Sequence, residues 1–129
     1  YAIFNRERSY GATAHLIDDK IDHGKIIEVV KFKINKNENL ETLLNKTHKK
    51  MYKLAVKVIK NLLKNKNFYN FKTNKYKWSK KLWKSRDLER LYEIKMSDDK
   101  KTVLKKIQAT KYKNFCPFIK IKNYKFILN

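Results

Sequence analysis

Between residues 40 and 63 the apolar residues recur at steps of three and four: Leu40, Leu43, Leu44, Thr47, Met51, Leu54, Ala55, Val58, Ile59, Leu62 and Leu63. That spacing places them in one stripe on a long amphipathic helix. The opposite face carries Lys46, Lys49, Lys50, Lys53, Lys57, Lys60 and Lys64. Asn37 or Asn39 can cap its start, because a short polar side chain accepts from the first free backbone amides. Before the helix, the pattern switches to β-branched and aromatic runs. Residues 12 to 17 and 26 to 34 read as two strands, with the polar loop DDKIDHG between them.

Residues 65 to 85 show no clean period. They read as a connection wrapped onto the body and anchored by aromatics such as Trp78 and Trp83. Residues 86 to 93 predict a short helix. Ser97, followed by Asp98 and Asp99, predicts a capped start to a further helix ending near residue 110. Pro117 stops any continuation. Residues 118 to 122 and 124 to 128 alternate around Asn123 as a small hairpin. The fold class is therefore α/β: two N-terminal strands, a long amphipathic helix, and a small α+β tail ending in a hairpin. Residues 1–66 form one domain part, and residues 67–129 form a connecting segment with a small helix-plus-hairpin region.

Charge adds a question about partners. Lys and Arg total 33 against 12 Asp and Glu, a net charge of +21, and no acidic residue occurs from residue 42 through 86. One reading is a polyanionic partner such as nucleic acid, an anionic membrane or a nucleotide substrate. The other is compositional drift toward Lys, Asn and Ile, since arginine appears only at positions 6, 8, 86 and 90. A lysine helix face is most often simply solvated, and Tyr76, Trp78 and Trp83 suit either base stacking or loop anchoring. The single cysteine, Cys116, excludes an internal disulfide and fits a reducing cytoplasm. No apolar run reaches the ~20 residues of a membrane-spanning helix. The start lacks a secretory pattern and a methionine, so residues upstream are expected. Histidine and cysteine are too few and scattered for a zinc site, and Asp18, Asp19 and Asp22 do not carry calcium-loop spacing.

The segment from Gly11 to Ile27, GATAHLIDDKIDHGKII, carries the chemistry. It resembles the strand–loop–strand of 10-formyltetrahydrofolate-dependent formyltransferases, in which a strand histidine precedes an acidic loop, an Asp-x-Gly and an apolar pair. His15 stands at the strand histidine. Asp22 and Gly24 flank His23 in the Asp-x-Gly, and Ile26 and Ile27 form the apolar pair. The resemblance is strong over residues 8 to 60 and weak after 85. The tail KKIQATKYKNFCPFIKIKNYKFIL is similar to the subgroup that formylates nucleotide-linked amino sugars, with Gln108 where that subgroup has arginine.

The resemblance implies the C-terminal fragment of a formyltransferase-type fold, with Asp22 and His15 as catalytic residues. It implies that Asp18, Asp19, Ile21 and Gly24 line the folate, while the residue spacing already argued against a metal. The donor would be 10-formyltetrahydrofolate and the acceptor an amine on a nucleotide-linked sugar. A methionyl-tRNA formyltransferase-like protein and a non-catalytic basic nucleic-acid-binding module are the rivals, and a homodimer stays open. Formyl transfer passes through a tetrahedral intermediate, so it needs oxyanion contacts and removal of a proton from the amine. A carboxylate can serve the second need. The family's Asn-x-His pair, which supplies the first, does not precede Asp22 here, and the N-terminal half that would carry it is a missing partner. The purified chain alone, given 10-formyltetrahydrofolate and an amino-sugar nucleotide, is therefore expected to form no product above background. A clear rate would overturn this.

Overall fold

The computed structural model describes residues 1–65, 76–79 and 84–128. In chain order the elements are β1 (Ser9–His15), β2 (Ile26–Lys33), α1 (Leu40–Asn65), α2 (Ser85–Tyr92), β3 (Glu93–Ile94), α3 (Lys100–Thr110), β4 (Phe118–Ile121) and β5 (Tyr124–Ile127). This is the expected mixed α/β order, with one strand, β3, that the pattern did not announce. The chain divides into two compact units: Tyr1–Arg8 with Ile34–Leu43 and Lys81–Asn129, and Ser9–Lys33 with Leu44–Lys80.

In the second unit, β1 and β2 form an antiparallel hairpin from Ser9↔Lys33 to His15↔Ile26. The first strand begins at Ser9 and ends at His15, earlier than alternation suggested, because Leu16 and Ile17 turn outward and Ile17 is 92% exposed. Helix α1 starts where Asn39 caps it, its Oδ1 accepting from the Thr42 amide at 2.9 Å. Its stripe divides lengthwise. Leu43, Thr47 and Leu54 are buried, whereas Met51, Ala55, Ile59 and Leu63 form an exposed row, Leu63 at 73%. The described part of this unit contains only a two-stranded sheet, and such a sheet is too small to cover the full width of the stripe. Lysines secure the helix to the strands. Lys57 pairs with Glu28 at 2.8 Å, and Lys46 donates to the Lys33 carbonyl at 3.4 Å while lying over the Phe32 ring.

In the first unit, β3, β4 and β5 make a three-stranded sheet in that order, β3–β4 parallel and β4–β5 antiparallel. Lys122 takes a positive φ of 53° in the two-residue turn of the closing hairpin. Leu91, Ile94, Ala109, Pro117 and Phe118 are buried, as is Ile3 from the N-terminal turn. Gln108 donates to the Glu38 carbonyl at 2.8 Å, joining residues 70 apart.

The cap of α3 is Asp99, whose carboxylate accepts from the Thr102 amide at 2.7 Å. Ser97 sits two positions too early, in a turn, to fill that role. Asp98 is committed elsewhere: its Oδ2 meets the Lys106 ammonium at 2.6 Å and the Lys95 amide at 2.9 Å. Lys106 also donates to the Glu93 carbonyl at 2.7 Å, so a nearly buried cation ties α3 to β3. A buried ammonium is tolerated because both its partners are oxygen acceptors at short range.

Burial acts to raise the Asp98 carboxyl, and the hydrogen bonds from Lys106 and Lys95 outweigh it, leaving the group below its ordinary value of 3.8. A folded value below the unfolded one stabilises the fold above that ordinary value, and the contribution is lost as pH falls through the depressed value. Lys106→Met is expected to cost about 3 kcal/mol, since it strands a largely buried carboxylate. Urea unfolding at pH 7 reads this loss, and the gap between variant and wild type should narrow when the titration is repeated at pH 3.

Candidate active site

The loop between β1 and β2 is built from its neck outward. Pairing holds in register from Ser9 to Ala14 and then shifts between Ala14 and His15, an irregularity of the kind that re-aims the residues beyond it. The Leu16 amide donates to the Lys25 carbonyl at 2.9 Å and closes the neck. Gly24 is buried there. Any Cβ at that position would run into the Leu16 carbonyl, so only glycine lets the two backbones approach.

His15 is half-buried at the same point, its Nδ1 2.8 Å from the Leu16 carbonyl. A carbonyl only accepts, so Nδ1 carries the proton and Nε2 is left to act as an acceptor when the ring is neutral. Trp78 completes the neck from 54 residues away. Its indole N–H donates to the Gly24 carbonyl at 2.7 Å, and its ring stands perpendicular to His15 with centroids 4.8 Å apart.

The loop itself is organised by Asp18. Its Oδ1 accepts from the Lys20 amide at 3.1 Å, and its Oδ2 lies 2.8 Å from His23 Nδ1. The His23 hydrogen bond, and after it the Lys20 amide, hold the Asp18 carboxyl below the usual aspartate value. Asp22 is exposed and adopts a positive φ of 49°, a region that aspartate enters more readily than most residues. Its carboxylate has no hydrogen-bond partner among the described residues. Asp19 is exposed, and Ile21 is 89% exposed, an apolar side chain held in water. No group of three or more metal-ligating side chains occurs among the described residues.

Of the residues singled out in the sequence, the structure brings His15 and Gly24 into one contact cluster and leaves Asp19, Ile21 and Asp22 on the open loop. Asp18 engages His23, a partner that sequence reasoning placed beside Asp22 without a role. Trp78 anchors a loop rather than standing ready to stack on a base, and Tyr76 lies under the Lys31 ammonium at 4.8 Å. Trp83 falls outside the described residues. The contact of Trp78 with the loop had no local signal beyond the aromatic anchoring that the sequence allowed.

Residues 1–59 match the sequence model of the Formyl transferase family. His15, the Asp18–Gly24 loop and the first half of α1 all lie inside this segment, whereas Trp78 lies beyond it.

No curated protein sequence matches the chain. Among solved structures, a 4-N formyltransferase from Francisella tularensis is similar at 25% identity and a TM-score of 0.76, over 98% of this chain and 52% of that one. An N-formyltransferase from Helicobacter canadensis, in complex with folinic acid and dTDP-3-aminofucose, shares the fold at 22% identity and a TM-score of 0.63, over 98% and 54%. HypX from Aquifex aeolicus, in complex with tetrahydrofolic acid, shares it at 19% identity and a TM-score of 0.70, over 98% of this chain and 22% of HypX. The formyltransferase-like chain thus spans about half the length of the first two and about a fifth of the third.

Gly24→Ala is expected to destabilise the hairpin unit by about 3 kcal/mol, because the obstacle is backbone and cannot swing aside. A thermal melt followed by exchange of the Leu16 amide, which donates to the Lys25 carbonyl, checks both the size and the place of the loss.

Proposed function

We propose that the chain is the C-terminal portion of an enzyme that transfers a formyl group from 10-formyltetrahydrofolate to a primary amine, the amine belonging to a nucleotide-linked amino sugar. The observation that carries this reading is Asp22: an exposed carboxylate at positive φ, on a loop whose neck is held by Gly24 and His15. Residues 1–66 then belong to the catalytic domain and residues 67–129 to a connection and a small C-terminal region.

The residues present fit a folate. Ile21 offers an apolar side chain to a flat ring, and the backbone around Asp18, Asp19 and Gly24 borders the same loop. When bound, the folate supplies an activated formyl group. Asp22 would take the proton that the amine nitrogen gives up as it attacks, directly or through one water, as a carboxylate within hydrogen-bond reach can do. His15 has Nδ1 committed to the Leu16 carbonyl, so it turns Nε2 to any partner. Donors for the developing oxyanion are assigned to the missing N-terminal half, which would bring the Asn-x-His pair that this chain lacks.

The net charge of +21 favours methionyl-tRNA as the acceptor instead. The region after residue 85 speaks against it, with two short helices and three short strands among its described residues rather than a five-stranded barrel. A basic module that only binds nucleic acid accounts for the charge and leaves the loop around Asp22 unexplained. The free thiol of Cys116 suits a reducing compartment such as the cytoplasm. Among the described residues no helix is long and apolar enough to cross a membrane.

In the enzyme completed with its N-terminal half, Asp22→Asn is expected to lower kcat by about 100-fold or more with KM nearly unchanged, the signature of an interaction made in the transition state. Full activity in that variant would remove the reading. A steep loss of transfer-RNA binding with rising salt would instead favour the methionyl-tRNA acceptor.

A further inference from the structure

We propose that Trp78 is a positioning residue for the Asp22 loop, holding both ends of its neck and fixing the imidazole of His15. The catalytic meaning of this role rests on the formyl-transfer reading, while its structural content does not.

The indole contacts one residue on each side of the neck. On the outgoing side it donates to the carbonyl of Gly24, two residues beyond Asp22. On the incoming side its ring stands at 89° to the His15 ring, 4.8 Å between centroids. Without the indole, the one backbone hydrogen bond closing the neck is that between Leu16 and Lys25. The Gly24 carbonyl would lose its partner at a buried position, a change that costs more than the bond itself contributes. His15 would keep its hydrogen bond to the Leu16 carbonyl but lose the wall that fixes its ring plane. Water reaching that bond would let the proton exchange between Nδ1 and Nε2, and Nε2 would no longer be reliably an acceptor.

Plain packing of the segment 76–79 makes a different forecast. Under packing alone, Trp78→Phe conserves an aromatic ring and leaves the loop unaffected. Under positioning, Trp78→Phe keeps the ring contact and loses the hydrogen bond, whereas Trp78→Leu loses both. The two effects are separable because they act on different atoms, the Gly24 carbonyl and the His15 ring.

The test uses the 129-residue chain as wild type, Trp78→Phe and Trp78→Leu. Nitrogen-15 NMR reads the tautomer of the neutral His15 ring, and exchange of the Leu16 amide, the donor to the Lys25 carbonyl, reads the neck, with the amides of α3 as a folding control. The expected result is neck exchange about tenfold faster in Trp78→Phe with His15 still protonated on Nδ1. In Trp78→Leu a mixed tautomer is expected as well, with α3 unchanged in both. In the completed enzyme Trp78→Phe should lower kcat about tenfold and leave KM in place. Wild-type neck exchange and tautomer in both variants would overturn the proposal, and if Trp78→Leu does not fold, the Phe variant decides alone. A loosened neck in an enzyme indifferent to Asp22→Asn would sink the formyl-transfer reading and leave the clamp standing. An unaltered neck in an enzyme that needs Asp22 would sink the clamp alone.

Discussion

The close approach of Gly24 to the Leu16 carbonyl governs the rest of the site. Two backbones meet there with no room for a side chain, and the contact sets where the loop leaves and rejoins the hairpin. His15, the Leu16–Lys25 hydrogen bond and the Trp78 indole are all arranged around that contact. Asp22 stands two residues from it, so its place in space follows from the glycine rather than from any bond of its own. This is a common division of labour. A carboxylate left open to water makes no contact that could fix it, and its geometry therefore has to be imposed by neighbours that are not open.

Much of the local architecture was legible in the sequence because it depends on short-range rules. The long helix follows from the spacing of Leu43, Thr47 and Leu54, and its start from Asn39. The two N-terminal strands follow from their β-branched residues, and the closing hairpin from the alternation around Asn123. Boundaries drifted where a tertiary demand overrode the local one. The first strand stops at His15 because the neck closes there, although Leu16 and Ile17 continue the apolar run. Asp99 rather than Ser97 caps α3 because Asp98 is drawn to Lys106. Strand β3 was invisible, since two residues carry no period and their pairing with β4 is a matter of distant chain.

The candidate site was legible to the extent that it is a motif. The Asp-x-Gly and the strand histidine lie within a few residues of one another, and the matched family segment contains them all. What lay beyond reach was long-range. Nothing near residue 78 indicates that its indole will meet a carbonyl 54 positions earlier. The pairing of Asp18 with His23 is local, but it competes with solvent and with the neighbouring aspartates, and only the loop's own curvature decides it. The basic charge resolves in part into structure. Lys46, Lys57 and Lys106 each have a partner, and the lysines of the outer helix face remain in water.

The closed neck also separates two kinds of evolutionary change. Strand register is set inside it, by the pairs from Ser9↔Lys33 to Ala14↔Glu28. Outside it the chain need only return to the same two points. Doubling the length of such an excursion costs only about 0.6 kcal/mol of closure entropy. Insertions and deletions among residues 17 to 21 can therefore accumulate without disturbing the frame. The same hairpin could carry a succession of different loop shapes while the aspartate, two steps before the glycine, stays where it is.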